Sequence, residues 1–81
     1  MASGIYRIKN VENGHSYIGS AKNIAGRWRS HLNTLRTRKK SPPKLQKAWD
    51  KYGEAAFVFE VVELCAVSDL LTREQFYIDL S

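Results

Sequence analysis

A basic residue and a histidine with helical spacing are the first candidates for chemistry in this sequence. Arg27 and His31 are four residues apart in a segment with helical periodicity, so their side chains neighbour one another on the helix surface. A guanidinium suits bidentate contact with a phosphate, and an imidazole donates a hydrogen bond to phosphate or transfers a proton near neutral pH. The spacing indicates phosphate chemistry, and a solvated basic pair is the alternative.

Two tyrosines are the next candidates, because a predicted β-hairpin brings them together. Alternating apolar and polar residues predict a strand over residues 5–9, and turn formers fill residues 10–14. A second strand follows over residues 16–19. The hairpin therefore places Tyr6 and Tyr17 in neighbouring strands, where they either take part in chemistry or pack on the sheet as half-buried aromatic residues.

The register of this hairpin has two solutions. If the turn centres on residues 11–12, Tyr6 lies opposite Tyr17 on the same face of the sheet. The pair Asn13-Gly14 offers an alternative turn, and with it another register.

Two helices are predicted after the hairpin. The first covers residues 22–37 and carries an apolar stripe that we assign to the core. The stripe consists of Ile24, Trp28, Leu32 and Leu35. A basic connector over residues 36–41 leads to the second helix, which starts with Ser41 as its cap and Pro42-Pro43 in its first turn, and ends at Gly53. Its apolar residues are Leu45, Ala48, Trp49 and Tyr52.

A third strand and a last helix complete the predicted order. Residues 56–62 are dense in β-branched and aromatic side chains, which predicts a largely buried strand at the centre of the sheet. Ser68 is predicted to cap the last helix. Its inward residues are predicted to be Leu70, Leu71, Tyr77 and Ile78, with Phe76 at the margin. The order β-β-α-α-β-α gives an α/β fold of the α+β kind, in which helices flank a three-stranded, mainly antiparallel sheet.

The charge distribution predicts a polyanionic partner. The net charge is +5, but residues 1–52 hold twelve of the thirteen lysines and arginines and two of the eight acidic residues. Phosphate neutralisation releases counterions and drives binding, so nucleic acid is the leading partner. A solvated basic face is the alternative.

Length and composition exclude several classes of protein. Eighty-one residues form one domain, 1–81, without room for a second core or a deeply enclosed pocket for a small-molecule cofactor. The single cysteine, Cys65, excludes an intramolecular disulfide framework and a cysteine-based zinc site. The chain has no secretory signal pattern and no apolar run of membrane-spanning length, which predicts a cytoplasmic protein without a membrane partner.

Two tripeptides in the predicted hairpin resemble a known family. Gly4-Ile5-Tyr6 and Tyr17-Ile18-Gly19, with ten residues between them, match the signature tripeptides of the GIY-YIG nuclease family. Arg27 and His31 match it as well. Further matching segments are Ser20-Ala21-Lys22-Asn23, Lys44-Leu45-Gln46, Lys51-Tyr52-Gly53 and Arg73-Glu74-Gln75-Phe76-Tyr77-Ile78. The resemblance covers nearly the whole chain, and the branches it is most similar to are the catalytic domains of phage and intron-encoded homing endonucleases.

The resemblance implies a metal-dependent DNA endonuclease with the GIY-YIG fold. The implied reaction hydrolyses a phosphodiester, as a nick or a double-strand break, and leaves a 5′-phosphate and a 3′-hydroxyl. It implies one Mg²⁺ ion, for which Mn²⁺ substitutes, held by Glu74 as its single protein carboxylate. Mg²⁺ accepts this arrangement because it usually keeps several waters and binds one or two carboxylates. A surface ion pair with Arg73 or a helical neighbour is the alternative role of Glu74.

The resemblance also assigns roles to the other site residues. Tyr6 is the general base, Tyr17 orients the water and Tyr6, and Arg27 stabilises charge on the phosphate. His31 bonds phosphate or relays the Tyr6 proton, and the choice between Tyr6 and His31 as the acceptor of the water proton stays open. Tyrosine has a pKa of about 10, so Tyr6 serves as a base only if the metal and a cation such as Arg27 lower this pKa.

Contacts with DNA are expected from a glycine and a set of basic residues. Gly19 is expected to keep space for the DNA backbone. The residues expected to make nonspecific phosphate contacts are Lys22, Arg29, Arg36, Arg38, Lys39 and Lys40. The family resemblance further implies a separate DNA-targeting domain or protein, and a chain that acts as a monomer or a transient dimer.

Two departures from the family pattern keep a second function open. Relatives tend to have a histidine in the connector where this chain has Lys40, and an asparagine shortly after the last helix, which the chain ends before reaching. The alternative function is a noncatalytic nucleic-acid-binding module, on DNA or RNA, that retains the nuclease fold.

Overall fold

The computed structural model describes residues 2–39 and 41–80. Its strands are β1 (Gly4–Asn10), β2 (Ser16–Ala21) and β3 (Phe57–Leu64). Its helices are α1 (Ile24–Thr37), α2 (Pro43–Tyr52) and α3 (Leu70–Leu80), with short 3-10 turns at Glu54–Ala56 and Val67–Asp69. The predicted order β-β-α-α-β-α is confirmed. Within the described ranges, no helix has the length and apolar content needed to cross a lipid bilayer.

The sheet is antiparallel throughout, with the strand order β2-β1-β3. The prediction that the third strand is central is therefore wrong, and so is its predicted burial, since no residue of β3 is fully buried. Composition alone does not show which strand pairs with another strand along both of its edges. β1 takes that place, and its Ile5, Tyr6 and Ile8 are each at most 2% exposed.

The hairpin register is centred between Glu12 and Asn13, so it matches neither a turn centred on residues 11–12 nor one centred on Asn13-Gly14. Tyr6 pairs with Gly19 and Ile8 with Tyr17, so Tyr6 and Tyr17 share a face but are not directly opposite. The Asn10 backbone carbonyl accepts from Gly14 N at 2.8 Å, and Gly14 has a φ of 77°. This left-handed conformation favours glycine, so Gly14 lets the chain turn over residues 11–14 before β2 begins.

Helices α1 and α2 cover one face of the sheet and close the main core. α1 begins at Ile24, where Asn23 caps it by accepting from Gly26 N at 3.2 Å. α2 begins at Pro43 with Pro42 at its N-cap, so the predicted cap at Ser41 is wrong. The buried core residues are Tyr6, Ile8, Ala21, Ile24, Leu35, Leu45 and Trp49.

Helix α3 packs on the other face of the sheet, and its orientation differs from the prediction. The helix begins at Leu70, after a 3-10 turn that contains Ser68, so Ser68 does not directly precede it. Leu70 is buried, but Leu71 and Ile78 are 80% and 42% exposed. Apolar residues lie on both sides of this helix, so periodicity does not select a face. Leu70, Glu74 and Tyr77 point inward, and Phe76 lies at the exposed margin.

Candidate active site

The centre of the candidate site is the Tyr6 side chain, which the middle strand β1 holds against α1. Tyr6 is 2% exposed, and its ring lies edge-on to Trp28 with centroids 6.4 Å apart. On β2 the ring passes over Gly19, where any Cβ would collide with the Tyr6 hydroxyl and ring. The expectation that Gly19 also keeps room for the DNA backbone stays a prediction. Gly19 is needed because the tyrosine occupies the space.

His31 joins the two tyrosines. Its Nε2 lies 2.9 Å from the Tyr6 hydroxyl, within hydrogen-bond distance. Its ring also lies edge-on to the Tyr17 ring, with centroids 5.8 Å apart and an interplanar angle of 72°. A residue on α1 and two on the hairpin thus form one continuous group, in which a proton has a direct path between Tyr6 and His31.

The protonation states of this pair follow from burial and from nearby charges. Burial is the main factor that raises the pKa of Tyr6 to about 12; Tyr17 and Glu74 raise it further, and Arg27 lowers it. Burial and the Arg27 charge both lower the pKa of His31. Arg27 lowers the Tyr6 pKa, as expected, but burial raises it by more. The protein atoms alone therefore do not give the lowered Tyr6 pKa that a general base requires.

Arg27 and Glu74 reach the site from opposite faces of the sheet. Arg27, on α1, lines an open groove of about 700 Å³ together with Ser20 and Lys22 of the β2 end. Glu74, on α3, accepts a hydrogen bond from the Ser20 hydroxyl. Both charges act on the Tyr6 pKa, which places them within electrostatic reach of its hydroxyl. The structure thus brings together all five residues predicted to be catalytic.

The donor set around Glu74 suits a magnesium ion. Among the described residues, no three histidines, cysteines or acidic side chains cluster as a metal site. A single half-buried carboxylate beside an open groove matches Mg²⁺, which retains waters and binds through one or two carboxylates plus substrate phosphates. The residues present therefore fit the implied ion, with Glu74 as its ligand.

A separate charged cluster anchors the helix that carries Glu74. Arg73 donates two hydrogen bonds to Glu63 of β3, at 2.8 and 2.7 Å, and the Tyr77 hydroxyl donates a third at 2.7 Å. Arg73 and Tyr77 together lower the pKa of Glu63 to about 2. The alternative role of Glu74, a pair with Arg73, is not observed, because Arg73 binds Glu63 and Glu74 binds Ser20.

The basic residues predicted to contact DNA have different surroundings. Lys22 lines the groove beside Arg27, whereas Arg29 and Lys39 are exposed elsewhere on the chain. Arg36 donates two hydrogen bonds to Glu54, at 2.8 and 2.7 Å, and Arg38 pairs with Asp50 at 3.4 Å. Lys40 lies outside the described residues. Lys22 is thus the member of this set that lines the same groove as Arg27.

A family model for the GIY-YIG catalytic domain matches residues 2–81. The chain belongs to the GIY-YIG family. It is 39% identical over 79 residues to intron-associated endonuclease 1 of Enterobacteria phage T4, covering 96% of this chain and 32% of that protein. It is 45% identical over 60 residues to the probable intron-encoded endonuclease 1 of Neurospora crassa, covering 74% of this chain and 18% of that protein.

The GIY-YIG fold is also found by comparison with a solved structure. The catalytic domain of the homing endonuclease I-TevI superimposes with a TM-score of 0.88 at 35% sequence identity, covering 96% of this chain and 86% of that one. This similarity confirms the predicted fold class. The chain spans about a third of the phage T4 relative and a smaller share of the Neurospora relative.

Ser20 is the site residue to which sequence analysis gave no role. It follows the second GIY-YIG tripeptide directly, which is a signal that it lies near the tyrosines. Its partner Glu74 is 54 positions away in the chain, so no local pattern connects the two. Only the packing of α3 against β2 identifies the contact.

Proposed function

We propose that this chain is the catalytic domain of a DNA endonuclease that hydrolyses phosphodiester bonds in a metal-dependent reaction. The observation that carries the proposal is the 2.9 Å contact between the Tyr6 hydroxyl and His31 Nε2, with Arg27 and Glu74 in electrostatic reach. The two GIY-YIG relatives described above are both named endonucleases, which supports the same reaction class. The products are a 5′-phosphate and a 3′-hydroxyl.

Tyr6 accepts the proton of the attacking water, and His31 makes this feasible. With a Tyr6 pKa of about 12, only about 10⁻⁵ of the molecules carry a free phenolate at pH 7. A neutral His31 removes this obstacle, because its Nε2 takes the hydroxyl proton while the water proton arrives at the Tyr6 oxygen. The lowered His31 pKa keeps the imidazole neutral and ready to accept.

The remaining residues bind and orient the substrate. Arg27 stabilises the charge that develops on the scissile phosphate, and Tyr17, beside the His31 ring, orients the water and Tyr6. Glu74 holds one Mg²⁺ or Mn²⁺. A bound ion would supply Lewis-acid stabilisation of the charge on the phosphoryl oxygen and on the leaving 3′ oxygen. Lys22 contacts the neighbouring phosphates. Such contacts position the duplex without reading its sequence.

A single copy of this site accounts neither for the choice of a target sequence nor for the cleavage of both strands. One site per chain nicks one strand, so a double-strand break requires a second copy or a second event. The phage T4 relative is about three times as long as the aligned segment, which leaves room in that protein for further domains. A separate DNA-targeting domain or partner protein is proposed for this chain on the same basis.

Cleavage of supercoiled plasmid tests the proposal. We expect nicking in Mg²⁺ and in Mn²⁺, but not in EDTA. Glu74→Ala and Arg27→Ala should each lower the nicking rate by about 100-fold or more, since each removes an electrostatic contact to the reacting phosphate. Tyr6→Phe should lower it comparably by removing the base. Glu12→Ala, which changes an exposed turn residue, serves as the control and should nick like the wild type.

Two results would contradict the endonuclease proposal. A wild-type chain that binds duplex DNA in a gel-shift assay but cuts nothing in either metal would leave a noncatalytic binding module. Cleavage or binding of RNA in preference to duplex DNA would assign the basic groove to another substrate.

A further inference from the structure

The Ser20 hydroxyl lies where the two halves of the site meet. Ser20 pairs with Ile5 across the β1–β2 ladder, so its side chain is on the face that α3 covers. From there it donates a hydrogen bond to Oε1 of Glu74. It also lines the groove that Arg27 lines, so Ser20 borders both Glu74 and that groove.

We propose that Ser20 is a positioning residue that fixes the Glu74 carboxylate for metal binding. By donating to Oε1, the hydroxyl restricts rotation of the carboxylate and would hold it in one orientation for a metal. The inference rests on the proposed function, because it takes Glu74 as the metal ligand. In the proposed function, Ser20 is neither a metal ligand nor a proton-transfer residue. The inference gives a reason for the polar side chain directly after Gly19.

A positioning partner is needed because Glu74 is a single flexible ligand. A glutamate has several rotatable side-chain bonds, and with one protein carboxylate no second ligand restrains them. Mg²⁺ demands near-ideal octahedral geometry, so an unrestrained carboxylate binds it poorly. The neighbouring cation does not supply the restraint, since Arg73 binds both oxygens of Glu63. Among the hydrogen bonds between described residues, the one from Ser20 reaches the Glu74 carboxylate.

Two substitutions at this position separate the hydroxyl from the shape of the side chain. Ser20→Ala removes the donor with little change in volume. Ser20→Thr keeps the donor, and its β-branched side chain suits a strand. Ser16→Ala is the matched control, because Ser16 is an exposed serine on the same strand.

Binding of Mn²⁺ alone, followed by electron paramagnetic resonance, is the first measurement. Hydrogen-bond partners of metal ligands typically change metal affinity by about 10- to 100-fold. We therefore expect Ser20→Ala to bind Mn²⁺ roughly 10-fold or more weakly than the wild type, while Ser20→Thr and Ser16→Ala bind it like the wild type. Thermal unfolding of each variant checks that it is folded.

The Mg²⁺ dependence of plasmid nicking is the second measurement. Loss of a positioning residue should raise the Mg²⁺ concentration for half-maximal rate and leave the rate at saturating Mg²⁺ close to that of the wild type. A general structural defect would instead lower the rate at every Mg²⁺ concentration, and that result would overturn the inference.

The outcomes distinguish this inference from the proposed function. If the wild type binds Mn²⁺ and nicks DNA, but Ser20→Ala has an unchanged Mn²⁺ affinity, the inference fails alone. It also fails if Ser20→Thr behaves like Ser20→Ala, because the hydroxyl is then not responsible. If the wild type neither binds Mn²⁺ nor requires a metal for nicking, the metal site in the proposed function fails first.

Discussion

The two faces of the sheet hold the two halves of the site by different forces. On the α1 face, Tyr6 is buried among aromatic rings, with Trp28 edge-on to it and Phe59 edge-on to Trp28. On the α3 face, Ile5 and Leu70 are buried, but Glu74 is held by a hydrogen bond from Ser20, and the apolar Leu71 and Ile78 point outward. The residues proposed to transfer protons are thus fixed by packing, and Glu74, the proposed metal ligand, is fixed by a hydrogen bond on a helix that ion pairs anchor.

This difference suits the separate tasks of the two halves. Burial lowers the His31 pKa and favours the neutral imidazole, as the proton-accepting role proposed for His31 requires. A metal ligand must instead stay charged and reach a groove that is open to substrate, which excludes deep burial. The α1 half should therefore be most sensitive to changes in volume, and the α3 half to changes in charge and pH.

The largest expected effect is a volume change on the α1 face. Gly19→Ala places a Cβ against the Tyr6 ring and hydroxyl, so the ring must move. We expect a loss of about 1–3 kcal/mol in the free energy of unfolding, typical of an overpacked site. Nicking should fall as well, since the Tyr6 hydroxyl leaves His31. Urea denaturation checks the stability, with Ser16→Ala as the unperturbed comparison. Equal stability of Gly19→Ala and wild type would show that this face is not tightly packed.

A smaller effect is expected from a charge change on the α3 face. Glu63→Gln keeps the shape of the side chain but weakens its bonds to Arg73 and Tyr77, so α3 should be held less firmly at pH 7. We expect a lower melting temperature for this variant, with Glu12→Gln unchanged as the control.

The acid dependence of stability sharpens this prediction. The pKa of Glu63 is lowered from 4.5 to about 2, so its contribution is present above pH 4.5 and is lost as the pH falls from 4.5 toward 2. Glu63→Gln should lose less stability than the wild type over this range in thermal unfolding. If Glu63→Gln had the melting temperature and the acid dependence of the wild type, the hydrogen bonds of Glu63 to Arg73 and Tyr77 would not stabilise the packing of α3.

The smallest expected effect is a pH dependence on the α1 face. Because the pKa of His31 is lower in the folded chain than its usual 6.5, the unfolded chain binds a proton first as the pH falls. Stability should therefore decrease below about pH 6.5, and His31→Gln should remove part of this decrease. Urea denaturation at pH 8 and pH 5.5 measures it. His15→Gln is the matched control, and an equal change in both histidine variants would contradict the assignment to His31.

The elements that depend on local pattern were predictable, and those that depend on distant partners were not. The stripe from Ile24 to Leu35 located α1 to within two residues, and Gly53 ended α2 as expected. In contrast, β3 was placed at the centre of the sheet because its composition is that of a buried strand. In helix α3, Leu70 and Tyr77 face inward as predicted but Leu71 and Ile78 do not, because apolar residues lie on both sides of the helix.

The same division holds within the candidate site. The signature tripeptides and the spacing of Arg27 and His31 named four residues that the structure brings together, and the family resemblance over residues 73–78 named the fifth, Glu74. The pKa of Tyr6, the true neighbour of Gly19 and the role of Ser20 required three-dimensional contacts. Each of these depends on how deeply a side chain is buried or on which element covers it.

The amino-acid sequence by itself determined the family, the order of the elements and the chemical groups available for a phosphodiester cleavage. These are encoded in residue types and in spacings of a few positions, which the geometry of a single helix or hairpin converts directly into shared surfaces. The tertiary structure decided the strand order, the inward face of α3 and the partner of the Glu74 carboxylate. Those features arise from contacts such as Ser20 with Glu74, 54 positions apart, whose energies depend on the packing of whole elements.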